Sequence, residues 1–336
     1  MGEEDRVSKV LFFQDITVFS DAVKQFDISI FSNHRVPVKL HMGELKNKYF
    51  VKPSVVKPVI SVLKEHNISP FLLDSTVAYH AKRHTIEGYL EVATHHGFTE
   101  ECIGCPIIID DRGKPVTINN QTYEVIEHLS MADYIFAISH VKGHVASGMG
   151  GAIKNFGMGG VTKETKQRIH HWSRPFFHDS LCSQCGICAS VCPFDAITVD
   201  HSKKWEQDMR KCFGCGVCVE NCPEEALVYD VMHFQQGLAE ATYACLKDKH
   251  GFYLNVVKDI ADSCDCDPTA KSILCPDIGF LLSDDPVAVD QASLDLIHAQ
   301  KPDVFFKEHH VDPQQQIEFA ETLGLGHQRY KLIELY

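Results

Sequence analysis

One cysteine spacing occurs twice in the middle of the chain, as Cys182-x2-Cys185-x2-Cys188-x3-Cys192-Pro193 and as Cys212-x2-Cys215-x2-Cys218-x3-Cys222-Pro223. Each run places three thiols on one short loop and a fourth just before a proline, which turns the chain away. Gly186 and Gly216 let the backbone bend tightly beside a bulky group. Zinc, the main alternative, takes four ligands per site, and disulfide frameworks are typical of small secreted domains. The chain has two such runs of four thiols each, and this arrangement favours iron–sulfur clusters over either alternative.

The doubled run resembles bacterial two-cluster ferredoxins, in which three cysteines of a run hold one [4Fe–4S] cluster and the fourth ligates the other. The resemblance implies a ferredoxin-like α+β domain over residues 177–228, with two [4Fe–4S] clusters as cofactors. It assigns one cluster to Cys182, Cys185, Cys188 and Cys222, and the other to Cys212, Cys215, Cys218 and Cys192.

Length and composition favour a soluble protein with a real hydrophobic core. The chain has 336 residues, of which 44% are hydrophobic, and this length allows two or three domains. No apolar run reaches the roughly 20 residues that span a bilayer, and the acidic residues 1–6 lack the apolar core of a signal peptide. We therefore expect a cytoplasmic protein without a membrane span, in a compartment that keeps thiols reduced.

The net charge of −13 argues against nucleic acid as a partner, because no basic patch is available to displace counterions. An acidic surface suits docking onto a redox partner such as a ferredoxin, a flavodoxin or a reductase complex, although it also serves ordinary solubility.

The flanks of the cysteine repeat predict an α/β protein. The pattern predicts strands at 7–13, 36–41, 70–74, 106–110, 132–139 and 252–257, and helices at 53–66, 85–95, 231–246 and 286–299. Alternating strands and helices favour a mostly parallel sheet, here divided into host segments 1–176 and 229–336 around the inserted domain. Asp74, Asp110 and His140 end predicted strands, where such sheets bind ligands, although aspartates there also cap turns.

Residues 140–160 form a glycine-rich segment with interspersed lysines and histidines. Glycine lets backbone amides approach an anion closely and lysine adds a positive charge, so we predict a ligand-binding loop for a small-molecule substrate or a further cofactor near Lys154. A flexible linker is the alternative. The predicted binding residues are His140, Lys142, Gly143, Gly148, Gly150, Gly151 and Asn155, and the predicted catalytic residues are His144, Lys154 and His170.

Short motifs occur along most of the chain. They are Lys39-Leu-His41-Met-Gly43-Glu44, Pro70-Phe71-Leu-Leu-Asp74, His140-Val-Lys142-Gly143-His144, Gly150-Gly151-Ala-Ile-Lys154-Asn155, Gly157-Met158-Gly159, Cys264-Asp265-Cys266, Pro276-Asp277-Ile278-Gly279 and Asp285-Pro286-Val287-Ala288-Val289-Asp290. These motifs resemble the uncharacterised iron–sulfur proteins of domain of unknown function 362. The resemblance implies an α/β host with an inserted two-cluster ferredoxin, and it implies no reaction.

A weaker resemblance concerns the nickel-pincer lactate racemases, through His144-x3-Gly148-x2-Gly151-x2-Lys154 and the later His170. It implies that Lys154 tethers or contacts a cofactor, that His170 ligates a metal and that His144 transfers protons. A racemase, however, has no use for two redox clusters.

Six cysteines lie outside the repeat, and they could bind another metal, form a redox dithiol or pack as small hydrophobic side chains. They are Cys102, Cys105, Cys245, Cys264, Cys266 and Cys275.

Three functions are compatible with these features. The first is an oxidoreductase in which the clusters exchange electrons with a ligand held by the glycine-rich segment. The second is a non-enzymatic electron-transfer subunit of a larger complex, and the third is an enzyme with a metal or nickel-pincer-like cofactor.

Overall fold

The structure of the protein, a computed structural model, describes residues 7–200, 204–229, 231–268, 270 and 272–336. The acidic residues 1–6 lie outside it. Its strands are β1 (Ser8–Phe13), β2 (Arg35–Leu40), β3 (Ser69–Ser75), β4 (Ile107–Asp110), β5 (Gly113–Ile118), β6 (Gln121–Ile126), β7 (Tyr134–His140), β8 (Lys142–His144), β9 (Gly148–Gly150), β10 (Pro175–Phe177), β11 (Ile197–Val199), β12 (Trp205–Gln207), β13 (Leu227–Tyr229), β14 (His250–Val257), β15 (Ile260–Ala261), β16 (Ile273–Cys275), β17 (Gly279–Ser283) and β18 (Tyr330–Glu334). Its α-helices are α1 (Phe19–Val23), α2 (Pro53–Glu65), α3 (Ile86–His95), α4 (Glu100–Ile103), α5 (Glu127–Ser130), α6 (Ala152–Gly159), α7 (Lys163–Trp172), α8 (Ile187–Ser190), α9 (Val217–Glu220), α10 (Val231–Leu246), α11 (Pro286–Gln300), α12 (Val304–His309) and α13 (Gln314–Thr322).

An eight-stranded sheet in the order β18-β1-β17-β14-β7-β2-β3-β4 organises the molecule. Its pairs are parallel except the two that β17 makes, with β1 and with β14. The prediction of a mostly parallel α/β sheet is therefore confirmed. The sheet draws strands from both sides of the cysteine repeat, because β14, β17 and β18 follow it in sequence.

Helices cover both faces of the sheet. Alternate residues of a strand point to opposite faces, and so Leu73 and Ala137 pack in one core with α6, α10, α11 and α13. Leu72 and Phe136 pack in the other core, with α1, α2 and α3. Within the described residues, no helix is both long enough and apolar enough to cross a bilayer.

Local sequence explains the helix starts. Pro53 begins α2, where its missing N–H is tolerated, and the apolar residues that follow at helical spacing face the core. Asp285 caps α11 by accepting hydrogen bonds from the amides of Val287 at 2.8 Å and Ala288 at 2.9 Å. The predicted bounds of these helices agree with the structure to within one residue.

The cysteine repeat contributes no described strand to the large sheet. Instead β10 pairs with β13 and β11 pairs with β12, both antiparallel, around a small separate core that includes Ile197 and Leu227. Arg174 Nε donates to the carbonyl of Cys212 at 3.1 Å, and His309 Nδ1 lies 2.9 Å from Glu220 Oε1. These contacts hold residues 177–228, which we call the cysteine segment, against the rest of the protein.

Candidate functional site

A cavity of about 770 Å³ opens at the carboxyl ends of β2, β3 and β7, where parallel sheets bind ligands. The cysteine segment forms its opposite wall, through Phe194, Phe213 and Cys215. Its volume lies within the usual range for small-molecule sites. We call it the basic cavity because six basic residues line it, Lys39, Lys46, Arg83, Lys142, Lys154 and Lys166. Five carboxylates also line it, those of Glu44, Asp74, Glu220, Asp265 and Asp267.

A buried ion pair forms the floor of the basic cavity. Lys39 and Asp74, 0% and 1% exposed, end neighbouring strands, and Lys39 Nζ lies 2.8 Å from Asp74 Oδ1. Lys39 Nζ also donates to Asn155 Oδ1 at 2.8 Å. Burial by itself would raise the pKa of Asp74. The attraction of Lys39 and other nearby cations outweighs burial and lowers this pKa to about 2. Asp74 is thus a fixed negative charge.

Two further lysines reach the cavity from α6 and α7. Lys166 Nζ is satisfied by Ser75 Oγ at 2.7 Å and by the carbonyl of Thr76 at 2.6 Å. Lys154 is half-buried and, among the described residues, makes neither a hydrogen bond nor an ion pair. Desolvation lowers the pKa of both lysines to about 7, helped for Lys154 by the nearby charge of Lys142. Lys154 is therefore an amine that can change protonation near neutral pH.

A buried carboxylate joins the glycine-rich segment to the loop after β15. Asp265 Oδ1 lies 2.6 Å from His140 Nδ1, and Asp265 Oδ2 lies 3.4 Å from Lys142 Nζ. Burial alone would raise the pKa of Asp265, but His140 and Lys142 hold it well below its usual range. The other ring nitrogen of His140 faces the carbonyls of Lys258 and Asp259 at 2.8 and 3.2 Å. His140 therefore orients Asp265 as well as lining the cavity.

His144 and His170 meet around one aromatic side chain. Their rings lie 6.1 and 5.4 Å from that of Phe234, and His170 also lies 4.4 Å from Phe213. His144 Nδ1 accepts from the amides of Ala146 and Ser147, each at 3.2 Å, which places its proton on Nε2. Burial lowers the pKa of both rings, that of His170 to about 3.

The structure thus brings together at the basic cavity all six non-glycine residues predicted for the site, namely His140, Lys142, His144, Lys154, Asn155 and His170. His170 Nδ1 is buried and has no hydrogen-bond partner among the described residues. The roles assigned to these residues stay predictions.

The predicted glycines lie behind the wall, since the lining does not include Gly143, Gly148, Gly150 or Gly151. A Cβ on Gly151 would lie 2.4 Å from Asp290 Oδ1, and this carboxylate already accepts from the first two amides of α6, at 2.7 and 2.9 Å. The expected backbone cradle for an anion therefore finds no support at Gly151. Cationic side chains supply the positive charge instead.

Other parts of the chain supply site residues that the sequence reasoning did not select. Arg83 donates to Glu44 Oε2 at 3.0 Å, to Tyr79 Oη at 2.5 Å and lies 2.7 Å from His41 Nε2. Asp74, at the end of a predicted strand, was already expected near a ligand, and the same signal applied to Lys39 and His41. Arg83, Tyr79 and Lys166 carry no recognisable motif. Asp110, also at a strand end, instead accepts from the amide of His128 at 2.9 Å and does not line the cavity.

The eight repeat cysteines line two smaller cavities, and each cavity draws three thiols from one run and one from the other. The first is lined by Cys182, Cys185, Cys188 and Cys222, and the second by Cys192, Cys212, Cys215 and Cys218. Gly186 and Gly216 have φ of +75° and +82°, which favour glycine, as the loops turn into α8 and α9.

The other cysteines separate into two groups. Cys264 and Cys266 form a disulfide in the wall of the basic cavity. Cys102 is exposed, and Cys105, Cys245 and Cys275 are buried, all away from that wall.

Known structures resemble the chain only distantly. The lactate racemase apoprotein from Thermoanaerobacterium thermosaccharolyticum has 12% identity and a TM-score of 0.40, with 77% of this chain and 52% of that chain covered. A structural-genomics crystal structure of a protein from Thermotoga maritima has 11% identity and a TM-score of 0.41, with 91% and 58% covered. The chain thus spans little more than half the length of these proteins.

No curated protein matches the chain at a significant level. A family model, described as domain of unknown function (DUF362), matches residues 36–295, which include the cysteine repeat and every lining residue of the basic cavity except His309. This match covers most of the chain and confirms the family predicted from the short motifs. The chain belongs to the DUF362 family.

Proposed function

We propose that this protein is an iron–sulfur oxidoreductase. In this proposal residues 177–228 form an inserted ferredoxin-like domain with two [4Fe–4S] clusters, and electrons pass between the clusters and a small anionic molecule in the basic cavity. The observation that carries the proposal is the division of the eight cysteines into two interleaved quartets, each lining its own cavity. This is the ligand exchange between runs that two-cluster ferredoxins use.

Donors around the cysteines fit a cluster. Gln207 Nε2 donates to Cys212 Sγ at 3.0 Å, and the amide of Ala196 donates to Cys192 Sγ at 3.3 Å. Trp205 lines the first cysteine cavity, where its buried indole N–H lies beside the Cys188 thiol. Hydrogen bonds to sulfur are one means by which proteins set cluster potentials.

The second cysteine cavity adjoins the basic cavity, because Cys215 lines both. Phe213 extends this shared wall, and its ring lies 4.4 Å from that of His170. When bound, the clusters supply single electrons at low potential. The adjacency of the two cavities supports transfer between the cysteine quartet and a ligand near His170 and Lys154.

The chemistry of the wall supports an anionic ligand. Lys39 is already paired with Asp74, whereas Lys154 faces the cavity without a partner among the described residues. An anion beside Lys154 would favour its protonated form. Lys154 would then bind the ligand and deliver a proton to it, while neutral His144 and His170 accept or donate hydrogen bonds.

Metal analysis and one cysteine substitution test whether the protein holds two clusters. Protein purified without oxygen should contain about eight irons and eight sulfides per chain, as two [4Fe–4S] clusters require. Cys192→Ala should damage the cluster held by the second run and spare that of its own run, as resolved by EPR of the reduced protein. Cys102→Ala, at an exposed cysteine outside both cavities, is the control and should leave iron and EPR unchanged. Stoichiometric zinc without sulfide would reject the clusters.

Ligand binding separates an enzyme from an electron-transfer subunit. Oxalate, a small dianion, should bind the wild type in calorimetry, and Lys154→Ala should lose that binding with unchanged iron content. If oxalate and inorganic phosphate both fail to bind the wild type, the electron-transfer subunit becomes the better description.

A further inference from the structure

The disulfide between Cys264 and Cys266 lies in the wall of the basic cavity, facing the cysteine segment. Cys264 is 8% exposed and Cys266 is half-buried. The two cysteines are separated by a single residue, so their bond closes a very short loop. Disulfides that close short loops constrain the unfolded chain least. A purely stabilising role therefore explains this bond poorly.

The backbone around the disulfide is anchored independently of the S–S bond. The amide of Glu44 donates to the carbonyl of Asp265 at 2.8 Å, and Asn47 Nδ2 donates to the carbonyl of Asp267 at 2.7 Å. The side chain of Asp265 is held by His140 and Lys142. Breaking the S–S bond would leave these contacts in place, so the loop is suited to repeated opening and closing of the bond.

Aromatic contacts connect the disulfide with the second cysteine quartet. Tyr79 Oη donates to the carbonyl of Cys266 at 3.4 Å, and the Tyr79 ring meets the Phe213 ring edge-on, 6.1 Å between centroids. Phe213 directly follows Cys212 in the chain, and its ring stacks on Phe194 at 5.3 Å. A continuous path of packed atoms therefore runs from the disulfide to the thiols of that quartet.

We propose that Cys264 and Cys266 form a redox-active disulfide that exchanges two electrons, one at a time, with the two iron–sulfur centres across the basic cavity. This inference rests on the proposed function, which supplies the low-potential one-electron donors. In the reductive direction, the S–S bond takes up two electrons, one from each reduced [4Fe–4S] centre, and two protons from solvent. The bond breaks, two S–H bonds form and each centre is oxidised by one electron.

The cysteine pair would thus convert two single electrons into a two-electron couple beside the ligand. Low-potential iron–sulfur centres are sufficiently reducing to open an ordinary disulfide. An external one-electron donor of the ferredoxin or flavodoxin class would then restore the reduced centres.

A limited reduction under anaerobic conditions tests the disulfide. Oxidised protein receives two electrons per chain from a photoreduced deazaflavin, and EPR then reports the clusters. Alkylation and mass spectrometry report the tryptic peptide 259–271, which contains Cys264 and Cys266 and no other cysteine. In wild type and in the control Cys102→Ser, the clusters should end oxidised and both peptide cysteines should be alkylated. In Cys264→Ser/Cys266→Ser, the clusters should stay reduced, and full reduction should take two electrons instead of four.

The outcomes separate this inference from the function on which it rests. In one outcome, wild-type protein contains about eight irons, but its clusters stay reduced and its peptide 259–271 keeps the disulfide. This outcome overturns the redox role of the cysteine pair and leaves the proposed function standing. Protein without iron and sulfide overturns the proposed function, and the cluster-driven reduction with it.

Discussion

Replacing Lys142 by methionine should raise the pKa of Lys154 by about one to two units. The pKa of Lys154 is about 7 because burial disfavours its charge and Lys142 repels it. A Cβ placed on Gly150 would lie 3.2 Å from Lys154 Cδ and 3.6 Å from Lys142 Nζ, so the two lysines pass close to one another. Two unit charges roughly 7 Å apart, at an effective dielectric constant of about 20, repel by about 2.4 kcal/mol, or about 1.7 pKa units.

Labelling of Lys154 as a function of pH measures this shift. Only the neutral amine reacts with formaldehyde and cyanoborohydride, so the initial rate of methylation of Lys154, followed by mass spectrometry, should rise with a midpoint near pH 7 in wild type. The midpoint is independent of how easily the reagent enters the cavity. Lys142→Met should move it upward by about one to two units.

Lys57→Met is the matched control, because it removes a positive charge from an exposed position of α2 that does not line the basic cavity. Charge on the proposed clusters would shift the methylation midpoint equally in the variant and in wild type. The difference between the two midpoints is therefore the quantity to compare. A wild-type midpoint near 10, or equal midpoints in wild type and Lys142→Met, would refute the electrostatic reasoning.

Three further predictions concern buried charges. Lys39→Met should destabilise the protein by about 3–5 kcal/mol, because the charge of Asp74 is left buried and unpaired. The double variant Lys39→Met/Asp74→Leu should recover most of this loss. Thermal midpoints compared at one scan rate measure both effects. Asp290→Asn should cost about 2 kcal/mol and lower the thermal midpoint by several degrees, because the amide nitrogen would face at least one of the three donors that the carboxylate satisfies. An unchanged midpoint would contradict this. Oxalate binding should weaken as pH rises from 6 to 8.5, because Lys154 and Lys166, with pKa values lowered to about 7, lose their charges in that range; calorimetry showing constant affinity would exclude them as the anion's partners.

The amino-acid sequence by itself determined the features that depend on short-range pattern. The alternation of apolar runs and amphipathic segments predicted the mostly parallel sheet, because burial on both faces of such a sheet requires those patterns. The motifs around His140 and Lys154 predicted the family, which the match over residues 36–295 confirms. The resemblance of the doubled cysteine run to two-cluster ferredoxins predicted the two quartets, which line two separate cavities.

Only the tertiary structure decided which distant groups share the basic cavity. Arg83, Lys166 and Asp265 come from three separate segments, and nothing in their local sequence shows that they meet at the ends of β2, β3 and β7. The structure also showed that α6 is capped by Asp290, far along the chain, so its amides are already satisfied. Hydrogen bonding and desolvation depend on three-dimensional neighbours, and for this reason the protonation of Lys154 and the position of the Cys264–Cys266 disulfide could not be derived from spacing alone.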